Sequence, residues 1–314
     1  MSERKIISII SPVFNEEKNI SMLYEQLKGV TNPLPYDFEF IFVNDGSEDK
    51  SIVEMKNLRT KDPKVMIIDF SRNFGKEIAT TAGINYCHGD ACIMIDADLQ
   101  HPVEKIPEFI EKWTNGAEVV VGVRNKTRDE RIFKKVGSYL FYKIINSISD
   151  MEIVSQATDF RLMDRIVIDE FNKLTERNRM TRALIDWLGF RRDYVYFTAN
   201  QRFQGKATYS FWMLLRLAFN SVISFSLFPL RVAGYLGMII TVMSGMIGIF
   251  IFITKYLTKT MYFTGPAILA VIILFLIGIV LICLGLIALY IANIHSEVSN
   301  RPIYIIRKSN SNIE

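Results

Sequence analysis

Short apolar runs and amphipathic stretches alternate through the first two hundred residues, and two long uncharged runs follow them. Residues 6–10, 38–43, 65–70, 91–95 and 119–123 are apolar and rich in β-branched side chains, which predicts buried strands. Residues 20–30, 51–60, 78–87 and 103–115 repeat apolar positions at helical spacing, which predicts the helices between them. Strand–helix alternation of this kind builds an α/β fold, a mostly parallel sheet with helices on both faces. Ligands of such sheets sit at the carboxyl ends of the strands, and the search for chemistry begins there.

The uncharged runs read differently. Residues 232–254 and 266–294 contain no Asp, Glu, Lys or Arg. Each exceeds the roughly 20 residues that cross about 30 Å of hydrocarbon, so two transmembrane helices are expected. Lys206, Arg216 and Arg231 precede the first run, and Arg301, Arg307 and Lys308 follow the second. The connecting loop holds only Lys255 and Lys259. The positive-inside rule then predicts a cell-membrane protein with two spans and its large domain on the cytoplasmic side. Residues 209–231 mix Phe211, Trp212, Phe219, Phe225 and Phe228 with few charges, as juxtamembrane helices in the headgroup layer do; an amphipathic helix packed on the domain fits equally. Ser244 and Gly248 form a small-xxx-small pair through which the spans could make a homo-oligomer. The expected organisation is a catalytic domain over 1–208, the juxtamembrane stretch 209–231, spans at 232–254 and 266–294, and a cytoplasmic tail over 295–314.

Composition narrows the classes. A net charge of +4 is too weak for a nucleic-acid partner and suits a neighbour of anionic lipid. Cys87, Cys92 and Cys283 form no CxxC pair and no spaced set with His88, His101 and His295, so neither a zinc site nor a disulfide framework is expected. The run 6–10 is too short for a secretion signal and gives way at once to Pro12 and the polar Asn15-Glu16-Glu17.

Three predicted strands end in polar or acidic residues. Ser11-Pro12-Val13-Phe14-Asn15-Glu16-Glu17 follows the first, Asn44-Asp45-Gly46-Ser47 the second, and Asp96-Ala97-Asp98-Leu99-Gln100 the fourth. No GxGxxG or GxxxxGK[ST] cradle is present, so a nucleoside diphosphate needs another counter-charge. Two carboxylates at i, i+2 on a strand end can supply it by holding Mg2+ or Mn2+, which take oxygen ligands and bridge phosphates.

These motifs resemble the openings of the inverting, GT-A-fold glycosyltransferases of family 2. Phe70-Ser71-Arg72-Asn73-Phe74-Gly75-Lys76-Glu77, Thr158-Asp159-Phe160-Arg161-Leu162-Met163 and Arg202-Phe203-Gln204-Gly205-Lys206 are similar to the branch that glycosylates polyprenyl phosphate, which includes bactoprenol glucosyltransferases and dolichol-phosphate mannose synthases. The resemblance implies a GT-A catalytic domain, Rossmann-like with a mostly parallel sheet, followed by two transmembrane helices. It implies that Pro12, Phe14, Glu16 and Asp45 hold the donor nucleoside. Asp96 and Asp98 would bind the metal and diphosphate with Gln100 beside them, and Arg202 would be a second clamp. On the acceptor side it points to Arg124, Lys134 and Ser138, although the family pattern has an arginine where Lys134 stands. Arg131 could substitute. Asp159 is the candidate catalytic base, but a phosphate monoester is already largely dianionic, so orienting a hydroxyl or a cation is the other role open to it. Residues 70–77 read as support around the donor pocket, with Asn73 and Lys76 set apart from the direct ligands. The reaction implied is transfer of a hexose, glucose first, from a UDP-sugar to polyprenyl (undecaprenyl) phosphate. N-acetylglucosamine or GDP-mannose as donor remains open. A processive polysaccharide synthase would add a QxxRW element and more spans, which the chain lacks.

Overall fold

The computed structural model describes residues 4–125, 156–177, 179–198, 253 and 265–312. The chain divides into two compact units, Met1–Ala207 together with Arg301–Glu314, and Thr208–Asn300.

The first unit is a seven-stranded sheet in the order β3-β2-β1-β4-β6-β5-β7. Its strands are β1 (Ile6–Val13), β2 (Asp37–Asn44), β3 (Val65–Asp69), β4 (Ala91–Met94), β5 (Val119–Arg124), β6 (Ala157–Asp164) and β7 (Arg192–Phe197). Helices α1 (Ile20–Thr31), α2 (Ser51–Lys61), α3 (Lys76–Asn85), α4 (Ile106–Thr114), α5 (Arg165–Lys173) and α6 (Thr181–Trp187) connect them. Strands β1, β2, β3 and β4 run parallel, as the alternation predicted, because each is followed by a helix that crosses back over the sheet. Ile7, Ile9, Phe40, Phe42, Ile67 and Ile93 lie at 2% exposure or less, which is why these strands read as apolar runs.

The exception to parallel order is β6. It inserts antiparallel between β4 and β5, with Met94 opposite Arg161 and Val120 opposite Leu162. A reversed strand brings its start, rather than its end, to the sheet edge where β4 finishes. The Arg124 amide donates to the Gln156 carbonyl at 3.1 Å, so the chain leaves β5 and enters β6 at neighbouring points.

Lys134, Ser138 and Arg202 lie outside the described residues, as do the stretch 209–231 and the first uncharged run, 232–254. The second uncharged run falls on α7 (Gly265–Val298), a helix of 34 residues and about 51 Å at 1.5 Å per residue. The described residues do not show a membrane span. They do show Leu269, Ile273, Leu276, Val280, Leu284 and Ile287 exposed at three- or four-residue spacing, an apolar stripe along α7.

The tail after α7 is not a separate appendage. Residues 301–312 return to the first unit and run beside edge strand β3, with an antiparallel bridge between Ile306 and Phe70, the residue that follows the strand.

Candidate functional site

The loops after β1, β2, β3 and β4 and the start of β6 meet at one edge of the sheet. Met94 faces Arg161 across an antiparallel ladder, so two residues further along each strand Asp96 faces Asp159. Lys76, the first residue of α3, reaches between them. Its ammonium lies 2.7 Å from Asp96 Oδ1, 2.9 Å from Asp96 Oδ2 and 2.7 Å from Asp159 Oδ2. Burial disfavours the charge, but the two carboxylates outweigh it and hold Lys76 well above the ordinary lysine range. Burial likewise opposes ionisation of Asp159, and Lys76 with Arg182 and Arg161 outweighs it, holding Asp159 below the usual carboxylate range.

Residues deeper in the fold fix this pair. Arg161, two residues on from Asp159 and 1% exposed, donates to Asp186 Oδ1 at 2.8 Å and Oδ2 at 3.3 Å, to the Thr158 carbonyl at 3.1 Å and to the Arg182 carbonyl at 3.3 Å. A buried guanidinium is tolerable only with acceptors this well matched. Glu77 accepts from the Thr181 amide at 2.8 Å and ties the start of α3 to α6.

The DxD segment is bent sharply. Leu99 has φ 61°, an uncommon left-handed conformation for a branched side chain, and Asp98 Oδ1 accepts from the Gln100 amide at 3.1 Å. His101 Nδ1 accepts from the Asp96 amide at 3.3 Å, while its ring stacks on Phe160 at 5.2 Å. Burial pushes the His101 pKa down, so a neutral ring supports the Asp96 backbone.

On the nucleoside side, Pro12 is the penultimate residue of β1, and Phe14 just beyond the strand is 46% exposed, an aromatic face open to a stacking partner. The Glu16 amide donates to Ser51 Oγ and its carboxylate accepts from Asn19 Nδ2. Asp45 is 2% exposed, and its carboxylate is directed inward: it accepts from the Phe74 amide at 2.7 Å and the Gly75 amide at 3.0 Å. Burial raises its pKa against those two amides and Arg72. Its immediate task is therefore to hold the 70–75 loop. Gly46 has φ 69°, and a Cβ there would lie 2.4 Å from the Arg72 carbonyl carbon, so the two loops approach as closely as only glycine permits. Arg124 ends β5 with its side chain exposed.

The structure thus brings Asp96, Asp98, Gln100 and Asp159 to one edge with Pro12, Phe14, Glu16 and Asp45. Lys76, read from sequence as support, stands at the centre of the acidic group. Its place in the quoted 70–77 motif was the available signal. Arg161 likewise lay in the 158–163 motif, but its role depends on Asp186, 25 residues on, and that of His101 depends on Phe160 as well as on nearby Asp96.

The carboxylates of Asp96 and Asp98 suit Mg2+ or Mn2+, because they offer only hard oxygen donors. Among the described residues no three His, Cys, Asp or Glu converge. The protein would thus supply few ligands and leave the remainder to phosphate and water, the usual arrangement for Mg2+.

Residues 8–171 match the family model described as Glycosyl transferase family 2. The chain is 43% identical over 311 residues to the uncharacterized glycosyltransferase YkcC of Bacillus subtilis, covering 98% of this chain and 95% of that one. It is 40% identical over 308 residues to the SfII prophage-derived bactoprenol glucosyl transferase of Shigella flexneri, covering 96% and 98%. Among solved structures, mannosyl-3-phosphoglycerate synthase from Rubrobacter xylanophilus superposes with a TM-score of 0.51 at 13% identity, over 69% of this chain and 72% of that one, a likeness of fold.

Proposed function

The chain belongs to glycosyl transferase family 2, and we propose that it transfers glucose from UDP-glucose to a polyprenyl phosphate, with inversion at the anomeric carbon. The observation that carries this reading is 40% identity with a bactoprenol glucosyl transferase across nearly the whole of both chains. That identity extends past the catalytic fold into the uncharged segments.

The geometry fits the chemistry. Phe14 would offer the donor base a face, and Asp45 holds the 70–75 loop at the same sheet edge. Asp96 and Asp98 would hold Mg2+ or Mn2+, whose charge would offset that developing on the departing diphosphate. A dianionic lipid phosphate needs positioning rather than deprotonation, and Asp159, already ionised and paired to Lys76, is poorly suited to take up a proton. Asp159 serves by orienting the Lys76 ammonium toward the phosphates. Arg124, with Lys134, Ser138 and Arg202, would add cationic and hydroxyl contacts to the acceptor phosphate and the leaving diphosphate.

A lipid acceptor also gives the uncharged segments a role. The exposed stripe on α7 suits hydrocarbon better than water. The chain leaves the first unit after β7 and returns to it at residue 301, so any crossings between those points must be even in number. Two spans, with the catalytic unit on the cytoplasmic face, satisfy this.

The test is a panel of radiolabelled UDP-glucose, UDP-N-acetylglucosamine and GDP-mannose, given to membranes containing the protein and undecaprenyl phosphate. Label from UDP-glucose should enter the lipid fraction as a phosphate-linked monosaccharide. Label from another donor would reassign the sugar, and no lipid labelling from any donor would sink the proposal.

A further inference from the structure

Edge strand β3 exposes one side of its backbone, and residues 301–312 cover it group by group. The Ile67 amide donates to Asn312 Oδ1 at 2.6 Å, and the Ile67 carbonyl accepts from the Asn312 amide at 3.2 Å. The Asp69 amide donates to Ser311 Oγ at 2.9 Å, and the Asp69 carbonyl accepts from the Arg307 amide at 2.8 Å. The Ser71 amide donates to the Ile305 carbonyl at 2.8 Å, while its own carbonyl accepts from the Arg307 guanidinium at 2.7 Å. Residues 67, 69 and 71 alternate along the strand, as the outward groups of an edge must. Covering an edge protects it from stray pairing, and that alone would be a sufficient structural role.

Two further contacts reach the donor side. The Asp69 carboxylate, 1% exposed, accepts from Asn44 Nδ2 through Oδ1 at 2.7 Å and from Asn310 Nδ2 through Oδ2 at 2.6 Å. Asn44 Oδ1 in turn accepts from the Ser47 amide at 3.1 Å and shapes the turn that contains Asp45. Meanwhile the Tyr304 ring stacks on Phe70 at 5.2 Å, and Phe70 meets Phe74 edge-on at 5.5 Å. The Phe74 amide is one of the donors to Asp45. The tail therefore braces both partners of the Asp45 contact, one through Asn310 and the other through Tyr304.

We propose that residues 301–312 are a positioning strap for the nucleotide pocket, with Asn310 and Tyr304 as the positioning residues that set Asn44–Asp45 against Phe74–Gly75. This rests on reading the Asp45 edge as the donor side. The strap is the segment that follows α7, so the donor pocket is completed only by chain synthesised after the apolar helix.

The test is a reciprocal exchange in the full-length protein, read by UDP titration calorimetry and by KM for each substrate. Asn310→Asp sets two carboxylates against each other, and Asp69→Asn sets two amide donors against each other. Each alone should weaken UDP binding and raise the donor KM about tenfold, with kcat and the lipid KM within about twofold of wild type. The double variant restores one donor facing one acceptor and should return UDP affinity to within about threefold. Single variants with unchanged UDP affinity overturn the strap. So does a uniform fall in active fraction that the double variant does not rescue, since that marks edge protection alone. A wild-type protein that binds UDP but labels no lipid counts against the proposed acceptor and leaves the strap to be judged on affinity. One that binds no UDP removes the donor reading and the strap together.

Discussion

Lys76→Met removes the ammonium shared by Asp96 and Asp159 and leaves their carboxylates facing one another without it. A hydrogen bond to a charged group contributes about 1.5–3 kcal/mol, so two such bonds amount to about 3–6 kcal/mol before screening. The Lys76 side chain is 44% exposed, and solvent screening reduces that by roughly half, to about 1.5–3 kcal/mol. At about 1.36 kcal/mol per factor of ten, kcat/KM for transfer to polyprenyl phosphate should fall about 10- to 150-fold. The Asp159 titration supplies an independent readout. Burial favours neutral Asp159, and Lys76 is the foremost group opposing it. Without Lys76 the Asp159 pKa rises, so its carboxyl, followed by carbon-13 NMR, must titrate at higher pH. Lys76→Arg keeps the charge and should hold that titration near the wild-type position while recovering part of the rate. The rate assay is initial-rate transfer of labelled glucose to extractable lipid at about pH 7. A Lys76→Met enzyme within threefold of wild type, with an unmoved Asp159 titration, would refute the argument.

Asp98→Asn should reduce turnover at least about 100-fold and weaken Mn2+ binding measured by electron paramagnetic resonance; unchanged values for both would remove Asp98 from the metal site. Asp186→Asn leaves Arg161 buried with neutral acceptors only, which costs about 3–5 kcal/mol. At about 2–4 °C per kcal/mol, Tm should drop about 6–20 °C by circular dichroism, and a drop under about 2 °C would contradict the structure. Burial raises the pKa of Asp62, but Tyr24, the Lys64 amide and Lys28 overcome it and bring the carboxyl down to about 2. Since the unfolded value is about 3.9, the stabilisation is complete above that pH and disappears as pH falls toward 2. Asp62→Asn should thus lower Tm at pH 6 and converge with wild type near pH 2, whereas a constant gap would show that Asp62 is not held ionised.

The strands that read clearly in the sequence are those buried on both faces. In β1 through β5 nearly every side chain meets core, so the apolar run is the strand. The next strand, Ala157–Asp164, carries Thr158, Asp159, Arg161 and Asp164 and shows no such run, because its polar groups find partners in Lys76, Asp186 and Trp113. β7, with Arg192 and Asp193 at its start, is masked in the same way. The acidic site was legible as strand-end carboxylates, since DxD is a local spacing. Lys76 was not, because its meaning depends on Asp159, 83 residues away. The tail was least legible of all: its partners on β3 lie more than 230 residues back, and no local periodicity announces a segment whose function is to satisfy another strand's backbone.

The antiparallel β6 has a consequence for how such a chain can diversify. Because β5 ends and β6 begins at the same edge, the 30 residues from 126 to 155 leave and return at points joined by a single 3.1 Å hydrogen bond. A segment closed between fixed, adjacent ends can change length cheaply, since the entropy of closing a chain grows only by about 0.6 kcal/mol for each doubling. It can also change sequence without shifting the strands that carry Asp96 and Asp159. Lys134 and Ser138 lie within it. In the reaction proposed above, the acceptor contacts would then be encoded as an exchangeable cassette, set between strands whose donor-side residues stay where the sheet holds them.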